Sequence, residues 1–200
     1  MSGNATFSNR LGTLIVLCGP SGVGKSTISR RLADEVHLRY VASTTTRPQR
    51  PHDEDGKNYE HVSEEEFFKR LANDEFLEYA NVYDHYYGTP RRSTLEALTG
   101  GQDVLLEIDV QGALQIRYQY PQALMIFILP PDGQSLLKRL RERGRDSEAE
   151  IQRRFRAAQR EVWMAKGSRA FDDMVINDNV ERAVKEIAHI IQQKKTPGGI

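Results

Sequence analysis

The strongest constraint on the fold is a glycine-rich segment, Gly19-Pro20-Ser21-Gly22-Val23-Gly24-Lys25-Ser26-Thr27. It fits the pattern of a glycine, four residues and Gly-Lys-Ser/Thr, in which backbone N–H groups surround a polyphosphate and the lysine reaches the outer phosphates. The apolar run Leu14–Cys18 before it predicts a buried parallel strand, and the spacing of Ile28, Leu32 and Val36 after it predicts a helix. The helix N-terminus then faces the loop, which favours a bound anion.

Apolar runs and helical patterns alternate along the rest of the chain. The runs at 14–18, 104–109, 124–129 and 174–176 predict strands, and helical patterns lie at 28–36, 95–98, 136–140 and 184–191. This alternation predicts an α/β fold with a three-layer α/β/α P-loop core, in which helices cover both faces of a parallel sheet. Two segments break the alternation, a long polar insertion at 41–90 and an arginine-dense segment at 138–160.

We therefore expect a single domain over residues 11–195 that carries two smaller lobes. The 200 residues of the chain suit one domain with a sizeable core. The core is assigned to residues 11–40, 91–137 and 161–195, and the polar ends of the chain predict flexible tails at 1–10 and 196–200.

Composition excludes several classes of protein. The 28 Lys and Arg residues balance 28 Asp and Glu residues, which leaves no general electrostatic footprint for nucleic acid. The single cysteine, Cys18, excludes an intrachain disulfide framework and a cysteine-cluster metal site. Apolar runs fall short of the roughly 20 residues that span a bilayer, and residues 1–10 have no apolar signal-peptide core. We expect a cytoplasmic protein with no nucleic acid, membrane or obligatory protein partner.

A second phosphate-related feature is the run Leu105-Leu106-Glu107-Ile108-Asp109, an apolar strand that ends in acids. In P-loop proteins a carboxylate at this place orients Mg²⁺, so we predict Mg²⁺ as cofactor, with Ser26 and Asp109 as its protein ligands. Glu107 and Asp109 are two apart, which predicts a shared strand face. The alternative is that Asp109 caps the following helix. The spacing from Asp109 to Gly112 also matches a GTPase switch, a rival class, although the sequence has no Asn-Lys-x-Asp segment to recognise guanine.

Four further motifs follow the glycine-rich loop in order. They are Ser43-Thr44-Thr45-Thr46-Arg47-Pro48-Gln49-Arg50, Asp55-Gly56-Lys57-Asn58-Tyr59, Phe76-Leu77-Glu78-Tyr79 and Tyr86-Tyr87-Gly88-Thr89-Pro90. This series resembles the guanylate kinase family, over nearly the whole chain. The resemblance implies transfer of the γ-phosphoryl group of ATP to GMP, and to dGMP, which yields ADP and GDP and recycles GMP in purine nucleotide metabolism. It makes 41–90 a GMP-binding lobe and 138–160 a lid.

The GMP phosphate needs a dianion site separate from the glycine-rich loop. Arg47 and Arg50 offer two guanidinium forks that can bind phosphate bidentately. The resemblance adds Tyr59 and Tyr87 to that phosphate. It also assigns Arg47 a catalytic role together with Lys25.

Guanine presents donors at N1 and N2 and an acceptor at O6, so a carboxylate and a hydroxyl can recognise it. The resemblance assigns these roles to Glu78 and Ser43, with Thr89 nearby. It also counts Glu107 and Asp109 among the GMP-binding residues. Adenine would leave Glu78 unpaired, and such sites discriminate by roughly 10⁴–10⁵. The family also carries aspartate at the position of Glu107, and whether Glu107 meets guanine, metal or water is left open.

The arginine-dense segment corresponds to a lid that closes over the phosphates. The resemblance gives catalytic roles to Arg143 and Arg154, and adds Arg139 and Asn177 to the ATP site. Two rival functions remain: a protein-interaction module with a guanylate-kinase-like fold, and a kinase of another nucleoside monophosphate.

Overall fold

The structure is a computed structural model that describes residues 11–50, 58–142, 144 and 147–195. The strands of this part of the chain are β1 (Leu14–Cys18), β2 (Arg39–Tyr40), β3 (Ser43–Thr45), β4 (Tyr59–His61), β5 (Phe76–Val82), β6 (His85–Pro90), β7 (Val104–Glu107), β8 (Leu124–Leu129) and β9 (Asp173–Ile176). The helices are α1 (Lys25–Val36), α2 (Glu64–Ala72), α3 (Arg91–Thr99), α4 (Val110–Gln119), α5 (Gly133–Glu142), α6 (Glu148–Ser168) and α7 (Val180–Lys195). Of the described helices, none is long and apolar enough to cross a membrane.

A five-stranded parallel sheet in the order β2-β7-β1-β8-β9 forms the core. Alternate residues of β1 face opposite sides, so Val16 and Cys18 pack in one apolar cluster while Ile15 and Leu17 pack in another. Helices α4 and α6 contribute to the first cluster, and α1 and α7 to the second. Both faces of the sheet are therefore covered, which confirms the predicted α/β architecture and explains why these strands are continuous apolar runs.

The carboxyl ends of the parallel strands meet at one edge of this sheet. The glycine-rich loop follows β1, Ile108 and Asp109 follow β7, and Asn177 follows β9. In open α/β sheets this edge is where ligands bind. The topology thus brings the loop and the predicted acids to the same place.

A second, mixed sheet in the order β4-β3-β6-β5 lies within the 41–90 insertion. Strand β3 pairs parallel with β4 and antiparallel with β6, and β5 pairs antiparallel with β6 and forms one edge of the sheet. Helix α2 supplies Phe67, whose ring stacks on Phe76 with 4.6 Å between centroids and lies 5.6 Å from the ring of Tyr86. The insertion therefore has its own sheet and its own aromatic cluster.

Helices α5 and α6 form a third unit with a small apolar cluster of Leu136, Leu140, Ile151 and Ala158. The Oγ of Ser147 caps α6 by accepting a hydrogen bond from the Glu150 N–H. Helix α5 begins at Gly133 and α6 ends at Ser168, so the predicted lid boundaries of 138 and 160 fall inside helices.

Candidate active site

The glycine-rich loop has a backbone that its glycines make possible. Gly22 and Gly24 have φ values of +88° and +101°, a region that side chains with a Cβ rarely adopt. Helix α1 begins at Lys25 without a side-chain cap, so its first N–H groups can turn toward a ligand. The Lys25 ammonium donates to the carbonyl oxygens of Gly19 and, at 3.3 Å, of Pro20. These contacts hold the lysine across the mouth of the loop.

Two predicted ATP-site residues lie behind the loop. The Asn177 amide donates to the Val23 carbonyl at 2.7 Å, and Arg139 donates to the same oxygen at 3.3 Å. Arg139 also donates to the backbone carbonyl of Asn177 at 2.9 Å. Asn177 is buried, and both residues brace the loop from its far side. That they also contact ATP stays a prediction.

The loop, the insertion and α6 line a cavity of about 580 Å³, a volume typical of small-molecule sites. It brings together most of the predicted site residues: Gly19, Pro20, Ser21, Gly22, Gly24, Lys25, Ser26, Ser43, Arg47, Arg50, Tyr59, Glu78, Tyr87, Glu107, Asp109 and Arg154. Val23 is buried beneath the loop, Thr27 is exposed on α1, and Thr89 is buried behind Glu78. Arg143 lies outside the described residues.

Glu107 and Asp109, the two acids at the end of β7, lie in different local structures. Glu107 ends the strand, and its Oε1 accepts a hydrogen bond of 2.7 Å from the Ser26 hydroxyl. Asp109 caps α4, because its Oδ1 accepts from the Gly112 N–H at 3.0 Å. The prediction of a shared strand face is therefore wrong, since the chain leaves the strand at Ile108 to begin the helix. Both carboxylates nevertheless line the cavity.

These oxygens fit a Mg²⁺ ion. Magnesium prefers hard oxygen ligands and is commonly held by one or two carboxylates, waters and substrate phosphates. The Ser26 hydroxyl lies at the loop mouth in contact with Glu107, and Asp109 lines the same cavity. The donor set is therefore suitable for a magnesium ion bound chiefly through phosphates.

Glu78 is a buried carboxyl group that faces the cavity. Its Oε1 accepts a 2.6 Å hydrogen bond from the Thr89 hydroxyl, and a Cβ placed on Gly112 would lie 2.1 Å from its Oε2. Burial raises the pKa of the Glu78 carboxyl to about 7, although the Thr89 hydrogen bond acts in the opposite direction. The predicted neighbour Thr89 is thus the residue that orients this carboxylate.

Arginine and aromatic side chains line the part of the cavity that belongs to the insertion. Arg47 is buried, and its guanidinium carbon lies 5.2 Å from the centroid of the Tyr59 ring. Tyr59 in turn meets Tyr87 edge-on with 5.9 Å between centroids. Arg50 and Ser43 line the same cavity. A buried guanidinium facing a cavity is well suited to bind a phosphate dianion.

Helix α6 reaches the loop from the opposite side. Arg154 donates to the Ser21 hydroxyl at 2.6 Å, and its guanidinium carbon lies 5.5 Å from the Tyr83 ring centroid. Its neighbour Arg153 donates to the Asp84 carboxylate at 3.2 Å. The arginine-rich helix therefore touches both the glycine-rich loop and the tip of the β5–β6 hairpin.

Comparison with known proteins decides the family. The family model described as guanylate kinase matches residues 11–194. The chain belongs to the guanylate kinase family. The guanylate kinase of Caldanaerobacter subterraneus subsp. tengcongensis is 48% identical over 186 residues, which are 92% of this chain and 88% of that protein. The guanylate kinase of Latilactobacillus sakei subsp. sakei is 46% identical over 190 residues, 94% of this chain and 92% of that protein.

Solved structures agree with this assignment. The crystal structure of guanylate kinase from Anaplasma phagocytophilum superposes with a TM-score of 0.79 at 28% identity, over 95% of this chain and 89% of that one. The SH3-kinase fragment of tight junction protein 3 gives a TM-score of 0.50 at 13% identity, over 93% of this chain and 58% of that one, and shows the fold alone. The guanylate kinase fold is thus shared with a protein of a different domain organisation.

The guanylate kinase motifs did not point to every residue around the cavity. Tyr83, His85, Glu150, Arg153 and Glu161 also line it. Arg153 could have been found from its place in the arginine-dense segment. Tyr83 and Glu161 belong to none of the sequence motifs. In the structure, Tyr83 occupies a turn at φ +52°, and burial raises the pKa of the Glu161 carboxyl to about 7.

Proposed function

We propose that this guanylate kinase family member transfers the γ-phosphoryl group of ATP to GMP and releases ADP and GDP. The observation that supports this most strongly is a single cavity with two different chemistries. One side is the glycine-rich loop with Lys25, and the other carries Arg47, Arg50 and the buried carboxyl of Glu78. A polyphosphate and a guanine monophosphate could therefore lie side by side in one cavity.

On the ATP side, we propose that the loop N–H groups and Lys25 bind the β- and γ-phosphates. Ser26 and Asp109 would hold Mg²⁺, with Glu107 accepting from Ser26 and from water, and a bound Mg²⁺ would neutralise charge on the phosphates. Arg154, whose guanidinium donates to the Ser21 hydroxyl, would approach the transferring group. Arg143 is proposed for the same task by resemblance.

On the GMP side, we propose that Arg47, Arg50, Tyr59 and Tyr87 bind the phosphate. Glu78 would accept from guanine N1–H and N2–H₂, and Ser43 would donate to O6. The lining of the cavity supports this division, because the arginines and tyrosines lie together while Glu78 lies near the start of α4. In this scheme residues 41–90 form the GMP-binding lobe and 138–160 the lid.

The proposed reaction requires no general base. A phosphate oxygen of GMP, ionised near neutral pH, forms the new bond to Pγ while the bond from Pγ to the bridging oxygen of ADP breaks. The protein contributes position and charge: it aligns the two nucleotides and surrounds the moving phosphoryl group with Lys25 and lid arginines. Closure of lobe and lid would exclude water, which is the competing acceptor.

The test is ADP formation from Mg-ATP with GMP, AMP, UMP or dTMP in parallel, together with release of free phosphate. We expect ADP with GMP alone and no free phosphate. GMP binding without turnover would instead indicate an interaction module. Phosphate release without any monophosphate would indicate a hydrolytic switch.

A further inference from the structure

Strand β5 carries Glu78 and forms an edge of the inserted sheet, where backbone groups lack a neighbouring strand. Helix α4 lies against this edge. Three glutamines, Gln111, Gln115 and Gln119, recur every four residues along α4 and so share one face of the helix. We refer to these three side chains as the glutamine ladder.

The glutamine ladder bonds to alternate residues of β5. The side-chain amides donate to backbone carbonyls, Gln111 to Asn81 at 3.1 Å, Gln115 to Tyr79 at 2.6 Å and Gln119 to Leu77 at 3.2 Å. Gln115 also accepts from the Tyr79 N–H at 3.2 Å. Side chains of a core helix thus take the place of a neighbouring strand, and the primary amide of Gln115 mimics a backbone peptide by both donating and accepting.

Glu78 lies inside this ladder, between Leu77 and Tyr79. The pairing of β5 with β6 is irregular at this point, because the register shifts between Phe76 and Glu78. Such a bulge disrupts the regular strand-to-strand bonds. The glutamines of α4 bond to the backbone on either side of Glu78 where the partner strand is least regular.

The same helix also limits where the Glu78 side chain can lie. A Cβ on Gly112 would come within 2.1 Å of the carboxylate oxygen Oε2. The helix therefore contacts the carboxylate at Gly112 and the adjoining backbone through Gln115. Both contacts bear on the group that would recognise the 2-amino side of guanine.

We propose that Gln115 is a positioning residue for base selectivity: it holds β5 so that the Glu78 carboxylate meets guanine N1–H and N2–H₂ together. The proposal rests on the proposed role of Glu78 in guanine binding. It predicts that removal of the Gln115 hydrogen bonds lowers kcat/KM for GMP more than it lowers kcat/KM for a monophosphate without the 2-amino group. A purely structural role would lower activity with both nucleotides alike.

The test compares kcat/KM for GMP and for inosine monophosphate, which lacks the 2-amino group, in Gln115→Leu. This variant keeps the side-chain size and removes both hydrogen bonds to Tyr79. We expect the ratio of the two values to fall by about tenfold, as the loss of one well-placed hydrogen bond implies, with the KM for ATP unchanged. The matched control is Gln193→Leu on α7, where the glutamine bonds to His189 and is exposed.

Each outcome decides the proposal. An unchanged ratio in Gln115→Leu, or an equal loss with both nucleotides, overturns it. If Gln115→Leu melts below the assay temperature, Gln115→Asn carries the same expectation, because its shorter amide cannot reach both groups of Tyr79. Absence of GMP phosphorylation in the unaltered protein would refute the proposed function, whereas normal phosphorylation with unchanged selectivity in the variants would refute this inference alone.

Discussion

The two sides of the cavity are built in opposite ways. The glycine-rich loop of the proposed phosphate side is one continuous segment, Gly19–Ser26, which joins β1 to the first residues of α1. The guanine side is assembled from distant parts: Thr45 pairs with Tyr87, and Tyr79 is held by Gln115 across 36 positions. The first site is a property of a local motif, while the second exists only once long-range pairing has formed.

The core sheet and the inserted sheet differ in how deeply their strands are buried. Strands β1, β7 and β8 are almost wholly buried between helices. In the inserted sheet, buried and exposed residues alternate along part of β5, and the aromatic cluster around Phe67 supplies the packing. A region with a smaller apolar cluster opens at a lower free energy than the main core. We therefore expect the GMP side to be the adaptable part of the molecule.

The largest expected effect concerns the glycine-rich loop, which is the local motif in this comparison. Lys25→Ala removes the point charge at the loop mouth, and we expect kcat to fall by at least about 10³-fold while the KM for GMP changes little. Steady-state kinetics with both nucleotides measures this. Lys69→Ala on α2, whose lysine makes only a 3.8 Å contact with Glu66 in the described residues and is largely exposed, is the matched control. Normal turnover in Lys25→Ala would remove the loop from the mechanism.

A pair of substitutions compares the two cores. Ile126→Ala removes a fully buried side chain of β8, so we expect the global free energy of unfolding to drop by about 2–5 kcal/mol. Phe67→Ala also empties a fully buried position, but in the inserted lobe. There we expect loss of GMP affinity with the main melting transition nearly unchanged, because we expect the lobe to open separately from the main core. Calorimetric melting and GMP titration measure the two effects, and an equal shift of the main transition in both variants would show one cooperative unit.

A smaller effect concerns pH. Burial raises the pKa of Glu78 to about 7. In the proposed scheme the ionised carboxylate binds guanine, so we expect binding to weaken as the pH falls below 7. We expect the apparent Kd for GMP to rise by about tenfold per pH unit below that value and to level off above pH 8. Titration of the GMP phosphate adds to the profile but is common to all variants.

Glu78→Gln isolates the contribution of the carboxyl group to this profile. The variant should lose the steep part of the pH dependence of GMP binding. Glu161→Gln, which removes a different carboxyl group of raised pKa, should keep it. Identical profiles for Glu78→Gln and the unaltered protein would show that another group controls the pH dependence of GMP binding.

The sequence was informative where burial or a local motif controls structure. Strands covered on both faces are continuous apolar runs, so β1, β7 and β8 could be predicted from the chain. Strands β3 and β4 are three residues each and largely polar, and only their partners make them strands. The inserted sheet therefore could not be predicted from periodicity.

The candidate site shows the same division between residues that a local motif predicts and contacts that only the folded chain reveals. Motif residues such as Lys25, Arg47 and Glu78 do line one cavity. Asp109 was wrongly placed on a strand face, because its capping bond to α4 ends the strand earlier. Arg139 and Asn177 brace the loop through Val23, a contact that no spacing in the sequence indicates. The four-residue spacing of the glutamines on α4 predicts that they share one face of the helix. Nothing in the sequence indicates that β5 lies against that face.

The close approach of α4 to Glu78 also has an evolutionary consequence. A single methyl group at position 112 would collide with the carboxylate at position 78, although the two positions are far apart in the chain. A side chain at position 112 requires the Glu78 carboxylate to shift. If Glu78 binds guanine as we propose, we therefore expect substitutions at positions 78 and 112 to depend on each other. In the proposed scheme, the room for the carboxylate that selects the base depends on the absence of one carbon atom near the start of α4.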